Sequence, residues 1–136
     1  IKMTIGSAMP VDDEMEISIK GRDIVTGLPK EIKLTDHDIR GAMYPSLSQI
    51  IETVKEVIES TPPEILSDIM QKGIVLAGGG ALIKGIAELM QMQLKLKVSI
   101  ADDPLTCVVR GCGIILEDLD LYKNVLINPQ DAIIIR

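Results

Sequence analysis

The chain has 136 residues, the size of one ordinary domain, with 46% apolar and 25% charged residues, which supports a packed core and argues against disorder. Its formal net charge of −6 repels phosphate backbones, and Tyr44 and Tyr122 are its only aromatics, so there is no base-stacking platform and nucleic acid is excluded as a partner. No apolar run reaches the roughly 18–20 residues of a membrane span.

Residues 1–5 followed by Gly6 read as the last turn of a helix and its glycine cap. The chain begins in patterned sequence without Met at position 1, which predicts a piece of a longer protein. Met15-Glu16-Ile17-Ser18-Ile19-Lys20 alternates apolar with polar, as a half-buried strand does. Gly21-Arg22-Asp23 is expected to turn, residues 23–26 read as strand or loop, and Gly27-Leu28-Pro29 breaks the pattern. Glu31-Ile32-Lys33-Leu34 alternates again, so residues 15–34 predict a small antiparallel sheet with one wet face.

The period then changes. Thr35 with Asp38 predicts a capping box and a short helix to about Tyr44. Pro45 is expected to open a second helix, where Leu47, Ile50, Ile51, Val54, Val57 and Ile58 recur at helical spacing and Glu52, Lys55, Glu56 and Glu59 face water. Thr61-Pro62-Pro63-Glu64 predicts another start, with Thr61 as the cap, and Lys72-Gly73 predicts its end. Gly73-Ile74-Val75-Leu76-Ala77 reads as a strand covered on both faces. Gly78-Gly79-Gly80 follows directly, and Leu82, Ile83, Ile86, Leu89 and Met90 then mark an amphipathic helix. Lys97-Val98-Ser99-Ile100 is a further strand. Asp103-Pro104 is expected to cap a helix carrying Cys107, Val108, Ile114, Ile115 and Leu116, with Gly111 and Gly113 inside it. Residues 120–136 form an apolar tail with Pro129, in which 132–135 read as a strand. The small sheet and the α/β section at 62–117 differ in architecture, which predicts two subdomains, the first inserted into the second.

Little of the chemistry is carried by the usual residue types. Cys107 and Cys112 match neither CxxC nor a zinc spacing. His37, the only histidine, reads as a solvated helix residue with no nucleophile to serve. The informative motif is strand, triple glycine, helix. Glycines without Cβ let a ligand touch backbone, and a following helix N-terminus would offer free N–H groups to it. Adenosine or phosphate suits such a place, and so does a plain tight turn. The dinucleotide pattern GxGxxG fails, because Ile83 stands where its third glycine belongs. A Walker A loop fails because Ile86 and Ala87 follow Gly85 where Lys and Ser or Thr are needed.

The stretch Gly73-Ile74-Val75-Leu76-Ala77-Gly78-Gly79-Gly80-Ala81-Leu82-Ile83-Lys84-Gly85 resembles the adenosine motif of the actin/Hsp70/sugar-kinase superfamily, in the form found in the MreB family of bacterial actin-like rod-shape proteins. Ile5-Gly6-Ser7-Ala8-Met9-Pro10, Val25-Thr26-Gly27-Leu28-Pro29, Thr61-Pro62-Pro63-Glu64 and Asp103-Pro104-Leu105-Thr106-Cys107-Val108-Val109 agree with that family in order. The resemblance covers residues 1–120 and implies an α/β, actin-like ATPase (ribonuclease H-like) fold in part: the C-terminal half with a small inserted α+β subdomain. Residues 1–60 would be subdomain IIB-like, a small antiparallel sheet plus helices. Residues 61–120 would be the C-terminal part of subdomain IIA, with the adenosine motif and a connecting helix, and 121–136 an unassigned tail.

Function follows from the resemblance in the same way. It implies a cytoplasmic, membrane-associated ATP-binding cytoskeletal protein that polymerises with itself head to tail. Its filaments would work with membrane and cell-wall synthesis proteins to maintain rod shape, using ATP with Mg2+ in the complete protein. Gly78, Gly79 and Gly80 would pack on ribose and adenine, Leu82 would cover the adenine face where Hsp70-like members carry Arg, and Lys2 would lie near the ribose and adenine. The connecting helix would span 103–115, its glycines explained by close helix packing. No catalytic or metal residue is implied within the chain, because the Asp-, Gly- and Thr-rich phosphate hairpins of the superfamily do not occur in it. The chain alone is therefore expected not to hydrolyse ATP, since phosphoryl transfer depends on groups placed around phosphates and metal. The alternatives are an Hsp70-like or sugar-kinase-like ATPase fragment, and an α/β interaction domain with no nucleotide site.

Overall fold

Alternation, caps and glycines set most of the local structure in the computed structural model, which describes residues 1–126. The strand expected at 132–135 and most of the tail lie outside the described residues.

Helix α1 (Lys2–Ile5) ends on Gly6, whose N–H donates to the Lys2 carbonyl at 2.9 Å. Gly6 is the expected cap, in an extended conformation with φ −72°, and the chain runs straight on into Ser7 and Ala8. These lie beside Lys84: Ser7 pairs with it in an isolated parallel bridge, and the Ala8 N–H donates to the Lys84 carbonyl at 2.7 Å.

Strands β1 (Glu16–Arg22) and β2 (Pro29–Thr35) form the expected antiparallel pair. Ile17 faces Leu34 and Ile19 faces Ile32, so one side of the hairpin is apolar. The turn, however, is not at Gly21-Arg22-Asp23. Gly21 pairs with Lys30 and Arg22 with Pro29, and the reversal begins at Asp23. The Asp23 carboxylate accepts from the N–H groups of Val25 (2.9 Å) and Thr26 (3.0 Å), an Asx turn that extends the ladder by two residues.

Thr35 and Asp38 form the predicted capping box at the start of helix α2 (Asp36–Glu59). One helix replaces the two expected, with Pro45 inside it. A helix-interior proline loses one hydrogen bond and crowds the carbonyl four residues back. Here that carbonyl belongs to Gly41, and both residues lie on the exposed side, where water can take the donor's place. Leu47 and Ile51 are buried and Val54 and Ile58 half-buried, while Ile50 and Val57, expected in the core, are exposed. His37 is exposed in the first turn.

Thr61 does not cap helix α3 (Pro63–Lys72), whose N-cap is Pro62. The Thr61 hydroxyl instead donates to the Val57 carbonyl at 2.6 Å, closing the end of α2. Strand β3 (Ile74–Leu76) pairs in parallel with β4 (Val98–Ile100). Among the described residues β3 is not covered on both faces: Val75 is 63% exposed, because the helices pack against one side of this two-stranded sheet. Helix α4 (Ile86–Leu94) supplies Ile86, Leu89 and Met90 to the core, where they meet Ala8, Leu47, Ile51 and Val98.

Helix α5 (Cys107–Glu117) starts three residues after Pro104, because Asp103 to Thr106 form a turn in which the Asp103 carbonyl accepts from the N–H groups of Thr106 and Cys107. Val108, Ile114 and Leu116 are exposed, and beyond the chain neighbours and the backbone of α5 itself nothing described lies within 4 Å of where a Cβ would stand on Gly111 or Gly113. The close packing expected at those glycines is therefore not found among the described residues. A short helix α6 (Leu119–Tyr122) and a 3-10 turn (Lys123–Val125) follow. No helix among the described residues is long and apolar enough to cross a membrane.

Among the described residues, three carboxylates sit below their ordinary value of 3.8: Asp36 through the Arg40 guanidinium, Asp38 through the Thr35 N–H, and Asp23 through the N–H groups of Thr26 and Val25. A carboxylate depressed in the folded state contributes stability above its unfolded pKa, and that contribution is lost as pH falls through the folded value. The urea midpoint should hold from about pH 7 to about pH 5 and drop below about pH 4. Asp38→Asn should remove part of that drop; an identical acid profile would contradict the assignment.

Candidate functional site

Four of the five residues singled out as ligand contacts meet at one cleft. Lys2, Gly79, Gly80 and Leu82 line a cavity of about 370 Å³, together with Met3, Gly6, Ile83, Lys84 and Leu105. That volume is within the usual range for small-molecule sites. The fifth residue, Gly78, is not on the wall. It positions the loop: its N–H donates to the Pro104 carbonyl at 2.6 Å, and its φ of 80° with ψ of 175° falls in a region that glycine alone occupies readily. The glycine run is thereby fastened to the loop that brings in Leu105.

The residues after Gly78 form a 3-10 turn (Gly79–Leu82), closed by the Ile83 N–H on the Gly80 carbonyl at 3.2 Å. Helix α4 begins only at Ile86, after the left-handed Gly85. Leu82 and Ile83 are thus outside the α-helix expected to carry them, and no α-helix begins at the glycine run. What faces the cleft is backbone without Cβ, the apolar side chains of Leu82, Ile83 and Leu105, and two cations, Lys2 and Lys84. A flat apolar ring can lie against Gly79, Gly80 and the 56%-exposed Leu82, while the lysines favour an anionic or hydroxyl-rich extension.

Among the described residues no carboxylate lines this cleft, and no group of His, Cys, Asp or Glu could hold a metal ion. The residues present do not fit Mg2+, and no metal-dependent step is assigned to them. Gly6 and Leu105 were not singled out as contacts, although both lie in the family-like stretches at 5–10 and 103–109. Only the fold brings them within reach of Gly79.

The family model for MreB/Mbl protein matches residues 1–124. The cell shape-determining protein MreB of Escherichia coli (strain K12) is 39% identical over 130 residues, covering 96% of this chain and 38% of that protein. The cell shape-determining protein Mbl of Bacillus subtilis (strain 168) is 38% identical over 120 residues, covering 88% of this chain and 36% of that protein. The chain therefore spans little more than a third of these relatives' length. The crystal structure of MreB5 of Spiroplasma citri bound to ADP superposes with a TM-score of 0.82 at 41% identity, covering 91% of this chain and 37% of that one. The same protein bound to AMPPNP gives a TM-score of 0.81.

Proposed function

The chain belongs to the MreB/Mbl family and has the actin-like fold in part, and from this we propose that it is the adenosine-binding, filament-forming portion of a cell-shape cytoskeletal protein. The observation that carries the nucleotide reading is the meeting of Lys2, Gly79, Gly80 and Leu82 at one cleft. Its support from relatives is that a solved neighbour, MreB5, binds ADP and AMPPNP. Adenine lies on the glycine backbone and Leu82, and Lys2 lies by the ribose. Gly78 sets the loop. Residues 1–60 act as subdomain IIB and 61–120 as the C-terminal part of IIA. Mg2+ and the hydrolytic groups belong to other parts of the complete protein, so no hydrolysis step is assigned to this chain. The assembled protein is cytoplasmic and membrane-associated, and works with membrane and cell-wall synthesis proteins. Titration of the complete gene product with ADP tests the nucleotide reading: saturable binding is expected, and its absence would overturn it.

We propose the filament contact at the hairpin tip. Ile24 is 98%, Val25 90% and Leu28 64% exposed, on a turn whose Val25 and Thr26 N–H groups donate to the Asp23 carboxylate. A contact between this tip and a different surface of the next copy is heterologous and does not close, so it builds a filament. Leu28→Glu should raise the critical concentration for pelleting with ATP by about tenfold, equivalent to about 1.4 kcal/mol, with ATP affinity unchanged. Pelleting at the parent's concentration would move the contact elsewhere on the molecule.

A further inference from the structure

Leu105 reaches the cleft from a turn. Asp103, Pro104, Leu105 and Thr106 form it: the Thr106 N–H donates to the Asp103 carbonyl at 3.1 Å, with Pro104 and Leu105 at the centre. Leu105 is 64% exposed and lines the cleft, so it packs into no core among the described residues. Its Cδ2 lies 3.6 Å from where a Cβ on Gly79 would stand, which sets a methyl group beside the glycine surface.

Asp103 is the unusual member of this turn. Its φ of 48° is left-handed, although it is not glycine. Asp and Asn tolerate that region better than most residues, because a short polar side chain can bond locally. Here Asp103 Oδ2 accepts from the Thr106 hydroxyl. Thr106 is also the N-cap of α5, yet its side chain makes no capping bond to the helix. A good capping group is thus turned back to close the turn a second time. The neighbours on either side are held as well. Arg110 Nη2 donates to the Asp102 carbonyl at 3.0 Å, and the Pro104 carbonyl accepts the Gly78 N–H at 2.6 Å.

Asp103 does not line the cleft, so whatever it does for a ligand it does through Leu105. We propose that Asp103 is a positioning residue: its left-handed backbone and its bond to Thr106 hold Leu105 beside Gly79, so that the ring enters a slot already formed. The proposal rests on the nucleotide reading of the cleft. A wall that has to be ordered when the ligand arrives weakens binding, and a wall held in advance avoids that loss.

Titration of the complete gene product with ADP, alongside a thermal melt, tests the assignment. Leu105→Ala should weaken ADP about tenfold, through lost apolar contact. Asp103→Ala should weaken it about fivefold, through a loosened wall. Asp103→Asn keeps an acceptor for Thr106 and tolerates the left-handed backbone, so its affinity should stay within about twofold of the parent. The double variant Asp103→Ala with Leu105→Ala should be weakened about tenfold, where independent sites would give about fiftyfold. If Asp103→Ala does not fold, Thr106→Val removes the same bond from its other side and replaces it in the cycle, with the same lack of additivity expected. A double variant weakened about fiftyfold, an Asp103→Asn as weak as Asp103→Ala, or single variants that bind like the parent overturn the proposal and leave the nucleotide reading standing. A parent that binds no ADP overturns that reading, and the proposal with it.

Discussion

Gly79→Val in the complete gene product should weaken ADP binding by about a hundredfold or more, about 2.7 kcal/mol, with little change in the thermal midpoint. Affinity and fold separate at this position because Gly79 lacks the positive φ of its neighbour. A Cβ built there meets nothing closer than Leu105 Cδ2 at 3.6 Å, an ordinary contact. The protein itself can accept the side chain. The two γ-carbons of valine would then stand in the cleft, on the surface where the ring is placed. Gly78→Ala is the control with the opposite expectation. Its φ of 80° is strained for any L-residue, so it should lower stability and distort the loop as well as weaken binding. Titration calorimetry together with a thermal melt separates the two variants. Unchanged affinity in Gly79→Val, with the melt intact, would return the glycine run to the role of a plain turn.

Gly85→Val should destabilise the protein by about 2–5 kcal/mol, read as a fall in the urea midpoint. Two costs act together. Gly85 is left-handed, at φ 75° and ψ 8°, which costs an L-residue about 1–2 kcal/mol. A Cβ there would stand 2.9 Å from Met9 Cβ and 3.1 Å from the Met9 nitrogen, and overpacking of this kind costs about 1–3 kcal/mol. Relief would require moving the segment that carries Ser7 and Ala8 away from Lys84, which also disturbs the cleft wall. Gly85→Ala should show most of the same loss, because the conformation and the Cβ are already at fault. A midpoint equal to the parent's in both variants would mean that Met9 is not held against this glycine.

Family membership removes the chaperone and sugar-kinase alternatives, and the resemblance that pointed to it was readable in the sequence: the glycine run with its flanks, and the stretches at 5–10, 25–29, 61–64 and 103–109. The site was partly readable for the same reason. A motif is contiguous, so it names Gly79, Gly80 and Leu82, but it does not say which distant residues close the other wall.

What the sequence determined by itself are features whose cause lies within a few residues. The alternation of 15–20 and 31–34 produced β1 and β2, because side chains in a strand alternate faces wherever the strand is placed. Thr35 and Asp38 made their capping box, because both partners lie in one turn. Tertiary structure decided the rest. Pro45 stayed inside α2 because the helix lies with that side to water while Leu47 and Ile51 are held in the core, and packing outweighed a local breaker. Ile50 and Val57 share the helical period of the core residues, but periodicity cannot say how wide a stripe the neighbours cover. The apolar run at 73–77 predicted cover on both faces, and Val75 lacks it because cover comes from other elements and not from the strand. Lys2, Gly6, Gly79, Gly80 and Leu105 share a cleft because the Gly78 to Pro104 hydrogen bond and the Ser7 to Lys84 bridge fold distant segments onto one loop. Such contacts depend on three-dimensional packing across many residues, and no local pattern in the chain records them.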